Sequence, residues 1–415
     1  MGKVVKLDAP AGKRRRRPSK TALVLGGGGF TGGVYEIGAL RALDLLSVNR
    51  TVNEFDVYVG TSAGSFVAAL IANGVTPEEM MRVVNAQSGT TFADIDSDTL
   101  LRPNVIEFIR KGAELPFRIG GLARRLAGQI GETSVMDLVL AIAHWLPSGL
   151  YSGHGIEEYL EGVLSLQGRT NDFRELSADL FLVATDLDSC ERIVFGADGF
   201  DDVPIAKAVR ASTALPMLYK PVRVGDRDLI DGGVVSTTNI DIAVDAGCKL
   251  VIVVNPLVPY LNDFSERVAT VTGSRAKRVS DMGFPQIGYQ TFKLLAHQRL
   301  HERMKQWRTD YPDVDFIVIE PESNDKLMFE TSIMDFASRV DIARHGFQSV
   351  TLKLASEYDD LRVVCARHGL ELSPTRVRKV IKHFAAEKET TRAWRKILEQ
   401  TTGALLRQSA SESGG

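Results

Sequence analysis

Residues 55–64 read Phe55-Asp-Val-Tyr-Val-Gly-Thr-Ser-Ala-Gly64, an apolar run that leads into a serine with a glycine two residues away on each side. The run has the length of a buried strand, and an apolar helical segment from Phe66 to Ala72 follows it. A serine at a sharp strand-to-helix turn has a strained backbone, and glycines on both sides avoid clashes there. The pattern from Gly60 to Gly64 therefore predicts Ser62 as a nucleophile, although serine is also a common helix N-cap.

A similar strand, turn and helix precede this one. Thr21-Ala-Leu-Val-Leu25 is apolar and ends in four glycines, after which apolar residues recur at helical spacing from Val34 to Leu46. Two such units in succession are typical of a parallel sheet with helices on its faces, so we predict a three-layer α/β/α fold with a mainly parallel central sheet. Further strands are predicted at 180–185, 192–195, 222–224, 250–254 and 314–319, and helices at 204–211, 240–246 and 292–307.

The glycine-rich segment after the first strand allows three interpretations. A dinucleotide-binding loop fits the spacing of Gly27, Gly29 and Gly32, but it needs an acidic residue at the end of the second strand, whereas Glu54 and Asp56 lie at its start. A Walker loop does not fit, because no Gly-Lys-Ser or Gly-Lys-Thr follows. Successive glycine N–H groups at a helix N-terminus can instead bind an oxyanion. Since parallel strands end at the same sheet edge, the loop would face the serine turn, and an oxyanion hole is favoured.

The predicted nucleophile needs a base, because a hydroxyl is a weak nucleophile without one. None of the seven histidines is predicted to follow a strand in a glycine-bounded loop, and we interpret each as a helix-surface or loop residue. Leu229-Ile-Asp-Gly-Gly233 instead places Asp231 after an apolar run and before a glycine turn. Burial would raise the pKa of this carboxyl from about 3.9 toward useful basicity. Asp231 is the predicted base, although Asp-Gly also begins ordinary turns.

The remaining segments divide the chain into parts. Residues 1–20 form a basic arm and residues 406–415 a tail, and both are predicted to be disordered. A catalytic domain is expected over residues 21–355, with a helical insertion at about 90–150 and a variable segment at about 260–310. Residues 356–405 are predicted to form a helical C-terminal extension, rich in Arg and Lys toward its end.

Composition excludes some classes of protein. A net charge of −2 over 415 residues argues against a nucleic-acid-binding protein. The three cysteines are far apart and no Cys-x-x-Cys spacing exists, which favours a reducing compartment rather than a disulfide framework or a zinc site. No apolar stretch has the length of a membrane span, and no secretory signal pattern is present. We expect a cytoplasmic location, with peripheral membrane contact through the basic arm and the C-terminal helices as a further hypothesis.

Three motifs in order resemble those of the patatin-like phospholipase family. They are G-G-G-x-x-G at Gly27 to Gly32, G-x-S-x-G at Gly60 to Gly64, and D-G-G at Asp231 to Gly233. The segments 182–187, 208–216 and 316–321 are also similar, and the resemblance covers roughly residues 21–355. The chain departs from the pattern at Thr31, where many members carry Arg or Lys.

The resemblance implies that lipid acyl esters are hydrolysed by a Ser62–Asp231 dyad without a histidine, a metal or another cofactor. Gly27, Gly28 and Gly29 would supply the oxyanion N–H groups. Further glycines would support the three motifs: Gly32, Gly60, Gly64, Gly232 and Gly233. The implied substrate is a phospholipid, a lysophospholipid or another acyl ester. Two alternatives stay open, an acyltransferase that uses the same dyad and a catalytically weak lipid-binding module, which the presence of Thr31 suggests.

Overall fold

The structure, a computed structural model, describes residues 19–85, 100–111, 113, 146–262, 268–269 and 275–386. Most of the predicted basic arm, much of the predicted helical insertion, parts of the variable segment and the chain after residue 386 lie outside these ranges. Among the helices that the structure describes, none is long and apolar enough to cross a membrane.

The described residues form strands and helices in the following order along the chain. The strands are β1 (Thr21–Leu25), β2 (Val57–Thr61), β3 (Gly149–Tyr151), β4 (Asp179–Asp186), β5 (Arg192–Phe195), β6 (Met217–Tyr219), β7 (Val222–Val224), β8 (Arg227–Asp231), β9 (Leu250–Val254), β10 (Val268–Ala269), β11 (Arg275–Ala276) and β12 (Asp315–Ile319). The helices are α1 (Gly29–Leu46), α2 (Ala63–Ala72), α3 (Pro77–Val84), α4 (105–111), α5 (His154–Leu164), α6 (Ile205–Ser212), α7 (Ile240–Asp245), α8 (Phe284–Asp310), α9 (Lys326–Glu330), α10 (Arg339–Ser356), α11 (Tyr358–Arg367) and α12 (Pro374–Ala386).

The central sheet is mainly parallel, as predicted. Its strand order is β12-β9-β1-β2-β4-β8-β7, and β5 also pairs with β4. Strands β12, β9, β1, β2 and β4 are mutually parallel, whereas β5, β8 and β7 pair antiparallel. All residues of β1, β2 and β9 are buried, which explains their mainly apolar sequences, because a strand covered on both faces has no solvent-facing side.

Helices cover both faces of this sheet. Successive side chains of a strand point to opposite faces, so Leu23 packs in a core with α1, α2, α3, α5, α6 and α10. Its neighbour Val24 packs in a second core with α7 and α8. Helices α1 and α10 cross closely: an ideal Cβ built on Gly38 would lie 2.5 Å from the Ala343 carbonyl oxygen. The fold is therefore the predicted three-layer arrangement, and the described part of the C-terminal extension is helical.

Several element boundaries differ from the predictions. Helix α2 begins at Ala63 rather than Phe66, because the poor helix formers Gly64 and Ser65 hide its first turn from the apolar pattern. Helix α8 begins at Phe284 rather than at residue 292. Its first part contains Gly288, and glycine is a poor helix former, so the sequence did not indicate a helix there. Strands β3 and β6, which form a separate parallel pair, are too short for an alternation to be recognised.

Candidate active site

Ser62 occupies the turn between β2 and α2. Its backbone has φ 55° and ψ −126°, in the region that residues other than glycine rarely adopt. Neighbouring backbone atoms leave no room for a side chain at either flanking glycine. An ideal Cβ on Gly60 would lie 2.6 Å from Ser65 Cα, and one on Gly64 would lie 2.4 Å from the Leu25 carbonyl oxygen. The turn therefore has the geometry expected of a nucleophile that is displayed by a strained backbone.

The Ser62 hydroxyl donates a hydrogen bond to the Asp231 carboxylate. The distance from Oγ to Oδ2 is 2.5 Å, although the two residues are 169 positions apart in the sequence. Asp231 is the last residue of β8, and its other oxygen, Oδ1, accepts a hydrogen bond from the Gly233 N–H at 2.7 Å. Ser62 is 7% exposed and Asp231 is 2% exposed. The structure thus brings the predicted nucleophile and the predicted base together in a buried environment.

Burial raises the pKa of the Asp231 carboxyl to about 6, while hydrogen bonds from Ser62 and the Gly233 amide act in the opposite direction. Desolvation disfavours the charged form of a carboxyl, which is why its effect is upward. A carboxylate with this pKa is still mostly ionised at pH 7, yet it is a stronger base than an ordinary aspartate. The group therefore has the protonation behaviour that a general base requires.

The glycine-rich loop after β1 lies against the serine. An ideal Cβ on Gly27 would be 3.3 Å from Ser62 Cβ. The Gly27 N–H donates to the Thr237 carbonyl at 3.3 Å, whereas no hydrogen bond among the described residues uses the N–H of Gly28 or Gly29. Gly27 was predicted as a third oxyanion donor, and that assignment needs correction, because its amide is engaged by the chain itself. Within the described part of the chain, the N–H groups of Gly28 and Gly29 at the N-terminus of α1 have no acceptor.

The conformation of this loop is fixed by residues much later in the chain. Gly29 has φ 62°, and an ideal Cβ there would lie 2.2 Å from Ile333 Cγ1. Thr31 donates its N–H to the Ile333 carbonyl at 3.3 Å and its hydroxyl to the Ser332 carbonyl at 2.6 Å. Thr31 is buried, so its side chain fastens the loop in place. This contact is made at the position where the family resemblance led us to expect a basic residue.

The remaining glycines of the motifs also lie in close contacts. An ideal Cβ on Gly32 would lie 3.1 Å from Pro256 Cγ, and the Gly32 N–H donates to the Gly28 carbonyl at 3.0 Å. At Gly232, an ideal Cβ would lie 2.3 Å from the Val183 carbonyl oxygen. Side chains at these positions would push the loop or the Asp231 turn out of place.

Ser212, at the end of α6, is a site residue that the residue-by-residue reasoning did not single out. Its hydroxyl accepts a hydrogen bond from the Ser62 N–H at 2.9 Å and donates one to the Val183 carbonyl at 2.6 Å. Ala214, two residues later, accepts the Asp231 N–H at 3.0 Å. Only the resemblance of segment 208–216 indicated this region, because a serine that ends a short helix looks like an ordinary capping residue.

His154 is an exposed helix residue, as predicted, but it lies closer to a strand than the sequence indicated. His154 does follow a strand, β3, and it comes directly after Gly153, which has φ 71°. The strand has only three residues, so the sequence did not indicate it. The His154 ring is hydrogen bonded to Arg210 at 3.0 Å, and no hydrogen bond among the described residues joins a histidine to Ser62 or Asp231.

An apolar cavity of about 110 Å³ adjoins the serine. Ser62 and Gly29 line it together with side chains that are almost all apolar: Phe30, Val34, Ile37, Phe66, Val67, Leu100, Ile156, Leu215, Leu218 and Met334. Such a lining binds a hydrocarbon group and offers few hydrogen bonds to a polar one. The arrangement can therefore hold an apolar acyl group beside a buried carboxylate, the hydroxyl that is hydrogen bonded to it, and two amides that donate to no other described residue.

A three-layer α/β sheet with a serine at this kind of turn defines the class of α/β proteins that display a nucleophile between a strand and a helix. Within this class the sequence pattern of one family, described as Patatin-like phospholipase, matches residues 23–244. That range is more than half of the chain, and the chain belongs to this family. The resemblance seen in the three motifs is confirmed.

Two curated relatives have similar sequences over about half of this chain. The uncharacterized protein YqhO of Bacillus subtilis (strain 168) is 26% identical over 222 residues, which cover 50% of this chain and 64% of the relative. The probable lipid hydrolase 463L of Invertebrate iridescent virus 6 is 25% identical over 228 residues, which cover 54% of this chain and 62% of the relative. The matches thus span less than two thirds of the length of these relatives.

Two solved structures can be aligned over much of the chain. VipD from Legionella pneumophila has a TM-score of 0.35 and 13% identity, covering 95% of this chain and 85% of that one. The type III effector protein ExoU has a TM-score of 0.32 and 14% identity, covering 89% of this chain and 60% of that one. Similarity at this level supports no conclusion about the site.

Proposed function

We propose that this protein hydrolyses lipid acyl esters through an acyl intermediate on Ser62, with Asp231 as the general base. The supporting observation is the 2.5 Å hydrogen bond between Ser62 Oγ and Asp231 Oδ2 at the wall of an apolar cavity. Membership in the patatin-like family and similarity to a relative named as a probable lipid hydrolase support the choice of lipid substrates.

The reaction would proceed in two halves. Asp231 accepts the hydroxyl proton while Ser62 Oγ attacks the ester carbonyl carbon, and the π electron pair moves to the carbonyl oxygen. The N–H groups of Gly28 and Gly29 stabilise this oxyanion, and one such donor is typically worth about 3 kcal/mol of barrier. Collapse of the tetrahedral intermediate breaks the ester bond, and the departing alcohol takes the proton from Asp231.

The second half repeats this chemistry with water. Asp231 accepts a proton from a water molecule as its oxygen attacks the acyl carbon on Ser62. The same amides hold the oxyanion, and collapse releases the fatty acid while Ser62 Oγ regains its proton from Asp231. The apolar cavity would hold the acyl chain during both steps, since it has almost no polar lining.

A fluorophosphonate probe combined with a fatty-acid release assay on phospholipid and lysophospholipid tests this proposal. We expect covalent labelling and acid release by the wild-type protein and by Ser165→Ala, a control at the exposed end of α5. Ser62→Ala should show neither, while its circular dichroism spectrum stays unchanged. Labelling or acid release that persists in Ser62→Ala would contradict the nucleophile assignment.

The same assay separates the two alternatives. A labelled protein that transfers its acyl group to an added alcohol faster than to water is an acyltransferase. A folded wild-type protein that is neither labelled nor active is a lipid-binding module, and this result would overturn the proposal.

A further inference from the structure

A cluster of metal-binding side chains lies outside the candidate active site. His297 and His301 are one turn apart on α8, and Glu320 comes directly after β12. A ligand atom from each residue lies within 4.8 Å of those of the other two. We propose that His297, His301 and Glu320 bind a divalent transition-metal ion, with Zn²⁺ as the best match. The dyad needs no metal, so this site is separate from the proposed chemistry.

The geometry of the cluster suits such an ion. Tetrahedral Zn²⁺ has ligands at about 2.0–2.2 Å, so its neighbouring ligand atoms are roughly 3.3–3.6 Å apart. His301 Nε2 and Glu320 Oε2 are already 3.2 Å apart. The His297 ring lies 4.1 Å from the His301 ring, centroid to centroid, and side-chain rotation can bring it to the same point. Two imidazoles and a carboxylate are ligands that Zn²⁺ accepts, and a fourth position stays open for water.

Neighbouring residues orient the ligands. The Asn255 side-chain amide donates to Glu320 Oε1 at 2.7 Å, which leaves Oε2 directed at His301. The Lys353 ammonium donates to the backbone carbonyl of Glu320 rather than to its carboxylate. The Glu320 side chain is 12% exposed and that of His301 is 45% exposed. The carboxylate is therefore held in place by its surroundings, while an ion can reach the His301 ring from solvent. Such outer partners typically strengthen metal binding, since they fix ligand orientation.

The spacing His-x-x-x-His on a helix also occurs in zinc hydrolases, where a Glu after the first His is the general base. Here that position is Gln298, whose side-chain amide donates to Glu302 at 3.1 Å. An amide cannot accept the proton of a metal-bound water, so the site is suited to binding rather than hydrolysis. A bound ion would join α8 to the edge of the central sheet.

The experiment uses full-length protein without a histidine tag, stripped with a chelator and titrated with Zn²⁺. A Cys190→Ser background removes an exposed thiol that could bind the ion. We expect one bound Zn²⁺ per chain by elemental analysis and a higher melting temperature with the ion. Loss of the exposed ligand in His301→Ala should weaken binding by about tenfold or more. The double variant His297→Ala/His301→Ala should bind no ion at the same concentration.

Two controls make the outcome specific. His154→Ala removes a different exposed histidine, 3.8 Å from Glu157, and should leave Zn²⁺ binding unchanged. Co²⁺ should give visible absorption bands of a tetrahedral site, and His301→Ala should lose them. Binding by His301→Ala as tight as that of the wild type, or the absence of stoichiometric binding, would overturn the proposal. Labelling of Ser62 is measured independently, so failure here does not affect the proposed hydrolase function.

Discussion

The turn after β2 and the loop after β1 leave neighbouring parallel strands at the same sheet edge, yet they present different groups. In the turn, Ser62 takes up a positive φ and presents a side chain. In the loop, the positive φ falls on Gly29, and the chain presents main-chain N–H groups. Both segments consist of a strand, a glycine-containing turn and a helix. Such a unit can present a side-chain nucleophile when the residue with the positive φ is a serine, and main-chain N–H groups when that residue is a glycine.

The two segments also differ in what holds them. Ser62 is supported by Ser212 and Asp231, which lie inside the range matched by the family. The loop is held by Ser332 and Ile333, which lie outside it. Changes at the serine turn should therefore affect the chemistry directly, whereas changes at the loop should act through its packing.

The largest effect is expected from Asp231→Asn, which removes the base at the serine turn. The amide keeps the shape of the side chain but cannot accept the Ser62 proton, so the rate of acid release should fall by roughly 10²- to 10⁴-fold. Steady-state kinetics on a lysophospholipid would measure this. Activity within about threefold of the wild type would show that another group is the base.

Gly29→Ala tests the loop in the same assay. The new Cβ would have to displace Ile333 and distort the loop, so the oxyanion donors would move and the rate should fall by about 10²- to 10³-fold. Gly74→Ala is the matched control, because Gly74 also has a positive φ of 79° but has open space around an ideal Cβ. It should cost about 1 kcal/mol of stability without a loss of rate. Equal losses of rate in both variants would mean that backbone strain alone explains the effect.

The pH dependence of hydrolysis tests the charge state of the serine turn. The pKa of Asp231 is about 6 and the base must be ionised, so kcat/KM should rise about tenfold per pH unit below pH 6 and level off above it. A profile that levels off at pH 4 would contradict the buried base.

Unfolding free energies check the same pKa in a different way. Because the folded-state pKa is raised from 3.8, the wild-type protein loses stability relative to Asp231→Asn as pH rises from about 4 to about 6. The pKa shift of about two units, at 1.36 kcal/mol per unit, lowers the free energy of unfolding of the wild type relative to Asp231→Asn by about 3 kcal/mol above pH 6. Denaturant unfolding at pH 4 and pH 7 measures it, and a difference that does not change with pH would contradict the assignment.

The central strands and the contact between Ser62 and Asp231 were predictable from the sequence for a physical reason. Strands β1, β2 and β9 are buried on both faces and are therefore mainly apolar, and close contact makes Gly60 and Gly64 obligatory. The role of Ser212 could not be predicted, because a long-range hydrogen bond has no local pattern. For the same reason, nothing in the glycine motif indicated that Thr237 engages the Gly27 amide.

Ser212→Ala should weaken the serine turn less than loss of the base. It leaves the buried Ser62 N–H without its acceptor, which typically costs about 1–3 kcal/mol of stability. The strained turn should then be less well ordered, and the rate of fluorophosphonate labelling should fall by about tenfold, or about 1.4 kcal/mol of activation free energy. Thermal unfolding and labelling kinetics measure the two effects. Unchanged values for both would show that the hydroxyl is dispensable.

The smallest effect is expected from Thr31→Val at the loop. The change keeps the shape of the side chain and removes its hydrogen bond to the Ser332 carbonyl, at a cost of about 1 kcal/mol of stability. The Thr31 N–H still binds the Ile333 carbonyl, so the rate should fall by no more than about fivefold, which corresponds to roughly 1 kcal/mol. A loss as large as that of Gly29→Ala would make the hydroxyl, rather than the glycine, the main support of the loop.

The position of β9 and β12 determines how far this protein can be shortened. Both strands come after residue 244, and β9 pairs along the whole length of β1. A truncated chain ending at residue 244 would leave β1 as an exposed apolar edge, which is prone to aggregation. The glycine-rich loop after β1 would also lose its contacts with Pro256 and Ile333. Val377 in α12 is fully buried, so the smallest fragment worth expressing continues past that residue.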